Sequence, residues 1–258
     1  MAARRRSTSV KIIIGLAIVV FGLFKYFGSK EENPYTGRTQ AINMSPEQEI
    51  AIGLQSAPAM IEQYGGMFPD QKLQNYVDQV GKKLVDNTIA RKTPYTYEFH
   101  LLNDDRTINA FALPGGQVFI THALLARLQN EDQLAGVLGH EIGHVIGKHS
   151  AERIANSELW NTISTGAEVG ANAGILTSAV GQNILLKNGR GDELESDDLG
   201  VRFMLEAGYD PEAMIAVMQI LKAASGGLNV PEFQSTHPDP ENRIAKIKEA
   251  IAKYRNEI

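Results

Sequence analysis

The chain contains no cysteine among its 258 residues. Disulfide bridges, a thiolate metal site, a cysteine nucleophile and a lipid-modified N-terminal cysteine are therefore all excluded. Neither sign of charge is in large excess: 25 lysines and arginines against 30 aspartates and glutamates give a formal net charge of −5, and nothing in the composition favours nucleic acid as a partner. What the chain does have is a hydrophobic content of 43%, which at this length is sufficient for one full core.

The N-terminus combines a basic cluster with an apolar run. Arginines occupy positions 4 to 6, and residues 12–24 carry no charge. Counted from residue 10 to residue 27, with the side chains of Lys11 and Lys25 reaching the interfaces, the segment has about 18 residues, the lower limit for a transmembrane helix. No small-x-small cleavage pattern follows, so we favour an uncleaved signal anchor over a cleaved signal peptide. Residues 1–9 would then lie in the cytoplasm and the rest of the chain outside it, on the periplasmic side in a bacterium.

A polar segment separates this run from the predicted folded domain. Residues 28–44 contain Pro34 and Gly37 and are typical of a linker. Ser45, Pro46 and Gln48 then provide an N-cap, a proline at the first helical position and a capping-box partner. We therefore expect one domain over residues 45–258.

The most informative motif is His140, Glu141 and His144, an HExxH arrangement. Asn130 supplies an N-cap, and apolar residues continue at helical spacing through the motif, which predicts a helix. Two histidines four residues apart lie on the same face of a helix, where both reach one metal ion. The glutamate lies beside the position that a metal-bound water would take. This pattern is typical of a zinc-dependent peptidase.

A catalytic zinc ion needs a third protein ligand. The acidic segment 192–211 reads as a helix that ends at Gly208, with Pro211 opening the next one, and Glu193 and Asp197 share one face of it. Glu195 lies with Arg202 on the opposite, mixed-charge side, which we expect to be solvated. Glu193 is therefore the better candidate for the ligand, and Asp197 could accept the spare ring N–H of a zinc-bound histidine.

Two stretches before the motif predict strands. Side chains alternate over residues 95–102, and residues 109–121 divide at a Pro-Gly-Gly turn into a hairpin. We expect a small antiparallel sheet beside the motif helix. Its edge could bind an extended peptide as an added strand, or could simply be covered by the rest of the fold. The candidate substrate-binding residues are Asn109, Ala110, Phe111 and Ala112.

Residues 156–191 are rich in small residues with scattered apolar ones. They are compatible with a helical hairpin packed on the core or with a partly mobile lid at a membrane surface. Core packing is the favoured interpretation.

Several motifs in fixed order carry a family resemblance: NAFALPGG, LGHEIGH, the E-x-x-x-D of Glu193 and Asp197, AGYDP and STHPDPENRI. Together they resemble the membrane-associated zinc metallopeptidases of the HtpX and BepA type, a family that also includes the CAAX prenyl endopeptidase. The likeness runs from about residue 45 to the C-terminus. It implies a mostly helical, zincin-like α+β domain and one zinc ion per chain. It also implies endopeptidase activity on polypeptides that are misfolded or membrane-associated.

Matched motif by motif, the resemblance makes His140, His144 and Glu193 the zinc ligands and Glu141 the catalytic base, with Asp197 supporting a ligand. An alternative function is a catalytically weak, chaperone-like peptide-binding module on a protease fold. A complete HExxH argues against it, because a purely structural site has no use for the glutamate.

His237, in STHPDPENRI, is the remaining catalytic candidate. It could occupy the fourth zinc position in the resting enzyme, or it could stabilise the developing oxyanion; Tyr209 and Arg243 are the other candidates for the second role. Glycines and prolines around it favour the resting ligand. His149 lies on a different helical face from the motif histidines and is expected to be structural or to support a ligand.

Overall fold

The computed structural model describes residues 2–171, 189–224, 233, 237 and 242–257. The described chain is mostly helical with two small sheets, which confirms the predicted α+β class. The helices are α1 Ala2–Gly28, α2 Pro46–Gln63, α3 Gln71–Asp86, α4 His122–Leu125, α5 Glu131–Ile146, α6 His149–Ala171, α7 Arg190–Glu206, α8 Glu212–Ala224 and α9 Arg243–Tyr254, with a 3-10 helix over Ile89–Lys92. The strands are β1 Lys30–Glu32, β2 Thr39–Ala41, β3 Glu98–Leu102, β4 Ala110–Ala112 and β5 Gln117–Thr121.

Contacts divide the chain into two compact units. The first comprises Met1–Met44 and Ser150–Lys187, and the second comprises Ser45–His149 and Asn188–Ile258. The second unit begins at the residue where the capping signals place the start of the catalytic domain. The predicted domain 45–258 also included residues 150–187, which group here with the N-terminal segment.

The first unit is built on α1 and α6, which pack closely through small residues. A Cβ on Gly15 would lie 2.8 Å from the backbone nitrogen of Gly170, so only glycine allows this approach. The segment Ser9–Gly28 is long and apolar enough to cross a membrane by length and composition. Residues 28–44, predicted as a linker, contain the antiparallel hairpin of β1 and β2.

The stretch 156–191 is partly described. Residues 156–171 belong to α6, and α7 begins at Arg190. Residues 172–188 lie outside the described residues, so the choice between a helical hairpin and a lid stays a prediction there.

In the second unit, α5 begins as the sequence predicts. The Asn130 side chain accepts a hydrogen bond from the Gln133 backbone N–H at 2.9 Å, and every residue from Gln133 to Ile146 is buried. Glycines let α7 approach closely, since a Cβ on Gly143 would lie 3.0 Å from the Cα of Ser196. Close packing of α5 against α7 brings the acidic face of α7 to the HExxH motif.

The three-stranded sheet has the order β3-β5-β4. The hairpin of β4 and β5 is antiparallel, as predicted, whereas β3 pairs with β5 in parallel. Parallel pairing follows because the chain crosses from β3 to the far edge strand β4 before it turns back into the central strand. The turn needs glycine: Gly115 and Gly116 have φ of 80° and 110°.

Candidate metal centre

Four buried side chains converge beside α5 and α7. One nitrogen or oxygen atom from each of His140, His144, Glu193 and His237 lies within 4.8 Å of the others, a group that could hold a metal ion. The Nε2 atoms of His140 and His144 are 3.0 Å apart, and each lies 3.4 Å from a carboxylate oxygen of Glu193. The structure thus brings together the three predicted ligands and His237.

His140 is oriented by a buried ion pair. Its Nδ1 lies 2.9 Å from Asp197 Oδ1, and the guanidinium of Arg243 donates to both oxygens of Asp197 at 2.7 Å. Arg243 Nη1 also lies 3.2 Å from Glu193 Oε2. Sequence reasoning considered Arg243 only as an oxyanion donor, whereas the structure places it behind two carboxylates of the centre.

The charges of this group depend on one another. Burial lowers the pKa of His140, but hydrogen bonds and charge from Asp197 and Glu193 outweigh it and raise the pKa to about 9. Burial holds the pKa of His144 well below its usual value. Burial raises the pKa of Glu193, yet the charge of His237 and hydrogen bonds from the histidines bring it well below its usual value. Without a metal, a proton is therefore carried on His140 rather than on His144.

Glu141 adjoins the group from the same helix. Its side chain is fully buried, and its Oε1 lies 3.7 Å from Nε2 of His237. His237 Nδ1 is 3.1 Å from Glu193 Oε1, 3.2 Å from His144 Nε2 and 3.4 Å from His140 Nε2. His237 therefore lies between the HExxH glutamate and the candidate ligands.

Two expectations about side chains are wrong. The side chain of Glu195 is not on a solvated face: it is 18% exposed, and its Oε2 lies 2.9 Å from Nε2 of buried His149. Tyr209 does not reach the centre, because its hydroxyl donates to Glu131 at 3.0 Å. Glu131 precedes His140 by nine residues, about 13 Å along the helix axis.

Of the four predicted substrate-binding residues, Asn109 and Ala110 are buried, and Phe111 and Ala112 are partly exposed. Asn109 is buried and donates to the Tyr64 hydroxyl at 3.1 Å, Ala110 is fully buried, and Phe111 stacks on Phe119 with ring centroids 4.8 Å apart. A sequence cannot show this, since the inward face of a three-residue strand is set by what packs beneath it.

The backbone of β4 has hydrogen-bonding groups that face away from the rest of the sheet. Asn109 and Leu113 bond to β5 through their backbone O and N–H respectively, so the groups of Ala110 and Ala112 between them point to the opposite edge. Among the described strands none pairs with that edge. At its start, the N–H of Phe233 donates to the carbonyl of Ile108 at 3.1 Å.

Comparison with known proteins agrees with this site. A model of peptidase family M48 matches residues 71–251. The chain is 31% identical over 238 residues to the mitochondrial metalloendopeptidase OMA1 of Schizosaccharomyces pombe, covering 90% of this chain and 70% of that protein.

It is also 33% identical over 233 residues to the beta-barrel assembly-enhancing protease of Yersinia pestis, covering 83% of this chain and 46% of that protein. The corresponding protease of Escherichia coli K12 is 30% identical over 243 residues, with 88% and 48% covered. The chain spans about half the length of these two assembly-enhancing proteases. The match over most of the chain shows that it belongs to peptidase family M48 and is a metalloendopeptidase.

Proposed function

We propose that one zinc ion per chain is held by His140, His144 and Glu193, and that Glu141 is the general base for peptide hydrolysis. The observation that carries this is the buried convergence of two imidazoles and a carboxylate, with Glu141 beside them. The donor set fits a catalytic zinc, which takes three protein ligands of these types and leaves one position open. The hydrogen bond from His140 to Asp197 also fits, because a metal-binding histidine usually has a carboxylate on its other nitrogen.

When bound, zinc would lower the pKa of a water and polarise the scissile carbonyl. Glu141 would take the proton of the attacking water and deliver it to the leaving amine, so that no covalent intermediate is needed. Arg243 and Asp197 would hold the ring of His140 in place throughout, since their ion pair is buried.

The substrate is a polypeptide bound along the outer edge of β4. The backbone groups of Ala110 and Ala112 face that edge, and an extended peptide can pair with them as an added strand. The buried side chains of Asn109 and Ala110, and the ring of Phe111 stacked on Phe119, would shape the strand rather than contact the substrate.

His237 acts as a resting ligand, which we call the lock. Its nitrogen lies 3.1 to 3.4 Å from atoms of Glu193, His144 and His140, the geometry expected for a fourth ligand around one ion. Phe233 stacks on its ring at 4.4 Å, and the Phe233 N–H already bonds to the outward carbonyl of Ile108. The same segment thus occupies both a ligand position and the beginning of the substrate edge, which favours the lock over an oxyanion donor.

We place the enzyme at a membrane, with α1 as its single anchor and the catalytic domain outside the cytoplasm. The support is the apolar segment Ser9–Gly28 and the basic residues before it. Misfolded or membrane-associated polypeptides are then the substrates within reach, in keeping with a relative named as an assembly-enhancing protease. Mass spectrometry of the membrane-extracted protein should find peptides upstream of Lys25, and a mature N-terminus near Ser29 would contradict the anchor.

The test of the mechanism is Glu141→Gln. We expect this variant to keep its zinc and its fold and to lose peptidase activity, because the ligands survive while the proton acceptor does not. Zinc content, circular dichroism and cleavage of an unfolded protein are measured together. Activity within about tenfold of wild type would exclude Glu141 as the base. Proteomics of a strain that carries the variant then identifies proteins that accumulate or co-purify.

A further inference from the structure

Shortly after the end of α5, one residue has an unusual backbone conformation. Lys148 has φ of 53°, a left-handed conformation that is costly for a residue other than glycine. Its amino group lies 3.5 Å from Oε1 of buried Glu49, an ion pair that helps to hold this conformation. The next residue, His149, packs its ring edge-on against the ring of His144 on α5, with the ring centroids 4.9 Å apart.

The ring of His149 fills a tightly packed site. His149 is fully buried, and a Cβ on Gly147 would lie 2.6 Å from its Cε1 atom. The glycine that ends α5 therefore leaves the room that the imidazole takes.

Both nitrogens of His149 have polar neighbours. Its Nδ1 lies 2.8 Å from Nδ1 of His144 and 3.3 Å from Oγ of Ser196. Its Nε2 lies 2.9 Å from Oε2 of Glu195 and 3.8 Å from Oδ1 of Asp192. His144, His149 and Glu195 form a chain that runs from a candidate ligand to a carboxylate on α7.

The protons in this chain have one consistent arrangement when His144 binds a metal. The Nε2 of His144 faces the other candidate ligands and must keep its lone pair, so its ring proton is on Nδ1. That N–H can donate only if Nδ1 of His149 accepts. The proton of His149 is then on Nε2, where the carboxylate of Glu195 accepts it.

We propose that His149 is a positioning residue of the metal centre, which accepts the Nδ1 proton of His144 and is itself oriented by Glu195. This rests on the proposed function, because it takes His144 as a zinc ligand. Glu195 acquires a role that its position on the helical wheel does not suggest. A histidine that merely filled the cavity would not need a hydrogen-bond acceptor at Nδ1.

Two substitutions of similar size separate positioning from filling. The amide oxygen of His149→Asn can accept from His144, whereas His149→Leu has nearly the same shape and no acceptor. We expect His149→Leu to raise the zinc dissociation constant by about 10- to 100-fold, the usual effect of losing a residue that orients a ligand, and His149→Asn to recover most of it. The visible spectrum of the cobalt-loaded protein should change in the Leu variant and resemble wild type in the Asn variant. Equal affinities and spectra for the two variants would overturn the proposal.

The far end of the chain has a matched control. Glu195 and Glu206 lie on the same helix, and each side chain is 18% exposed, but only Glu195 contacts His149. Glu195→Gln should weaken zinc binding and Glu206→Gln should not. If His149→Leu does not fold, the zinc affinities of Glu195→Gln and Glu206→Gln still test the proposal. Equal effects of these two variants would contradict it. Ser196→Ala should leave zinc affinity unchanged; a loss as large as that of His149→Leu would assign the hydrogen bond to Ser196 instead.

His144→Ala separates this inference from the function on which it rests. If the Ala variant binds zinc as tightly as wild type, the ligand set itself is wrong. If zinc binding needs His144 but none of the His149 and Glu195 variants changes it, only the positioning role fails.

Discussion

His140 and His144 lie one turn apart on α5 and face the same carboxylate of Glu193, yet each ring is held from behind in a different way. His140 bonds directly to the carboxylate of Asp197, which Arg243 neutralises. His144 contacts the imidazole of His149, and the carboxylate of Glu195 contacts His149 rather than His144. Burial lowers the pKa of both rings, but hydrogen bonds and charge from Asp197 and Glu193 outweigh it at His140, whose pKa rises to about 9, whereas the pKa of His144 stays well below its usual value.

The comparison shows that two histidines one turn apart on one helix can have different hydrogen-bond partners and opposite pKa shifts. The carboxylate of Asp197 favours a proton or a cation on His140, whereas the partner at Nδ1 of His144 is another imidazole. Three experiments can break or sharpen this difference.

The largest effect is expected at the carboxylate that both rings share. Glu193→Gln should lower zinc affinity by more than the roughly 10- to 100-fold typical of residues that only orient a ligand, because it removes a negative ligand from a buried site. Glu195→Gln, two residues away, should have the smaller effect of a residue that acts through His149. Zinc content and dissociation constants of both purified variants decide this. The reverse order would show that the ligand is misassigned.

An intermediate effect is expected at His237, which contacts both rings. As a lock it leaves before substrate binds, so His237→Ala should raise basal proteolysis several-fold and weaken zinc binding only slightly. An oxyanion donor would instead make kcat fall by about a hundredfold or more. Steady-state cleavage of an unfolded protein measures both quantities. A variant equal to wild type in rate and affinity would remove His237 from the site.

The smallest effect is the pH dependence of zinc binding. The raised pKa of His140 means that the metal-free protein carries a proton there below about pH 9, and zinc must displace it. Binding near pH 7.5 should release about one proton, and the dissociation constant should fall about tenfold per pH unit from pH 7 to 9. Titration calorimetry in buffers of different ionisation enthalpy measures the proton. A pH-independent constant would contradict the asymmetry of the two rings.

The stability of the metal-free protein should change with pH in the opposite direction to its zinc affinity. Because the pKa of His140 in the folded, metal-free protein lies above its ordinary value of 6.5, the stabilisation is complete below pH 6.5. It is lost as pH rises through about 9.

Much of the site followed from local sequence. Asn130 begins α5 as predicted, and the four-residue spacing places His140 and His144 together. The same four-residue spacing places Glu193 and Asp197 on one face of α7. Each of these depends on helical periodicity and a capping side chain, which act within one or two turns. A stretch of about twenty residues is enough to specify them.

Only the tertiary structure decided which residues contact and orient the candidate ligands. Arg243 meets Asp197 across 46 residues of chain, because α9 packs against α7. If α5 continued as a regular helix, His149 would lie on a different face from His144. It reaches His144 only because the chain leaves the helix at Lys148 with a positive φ. Glu195 is drawn inward by that same histidine. These contacts depend on which surfaces pack together in three dimensions, and helical periodicity carries no information about a neighbour that comes from another element.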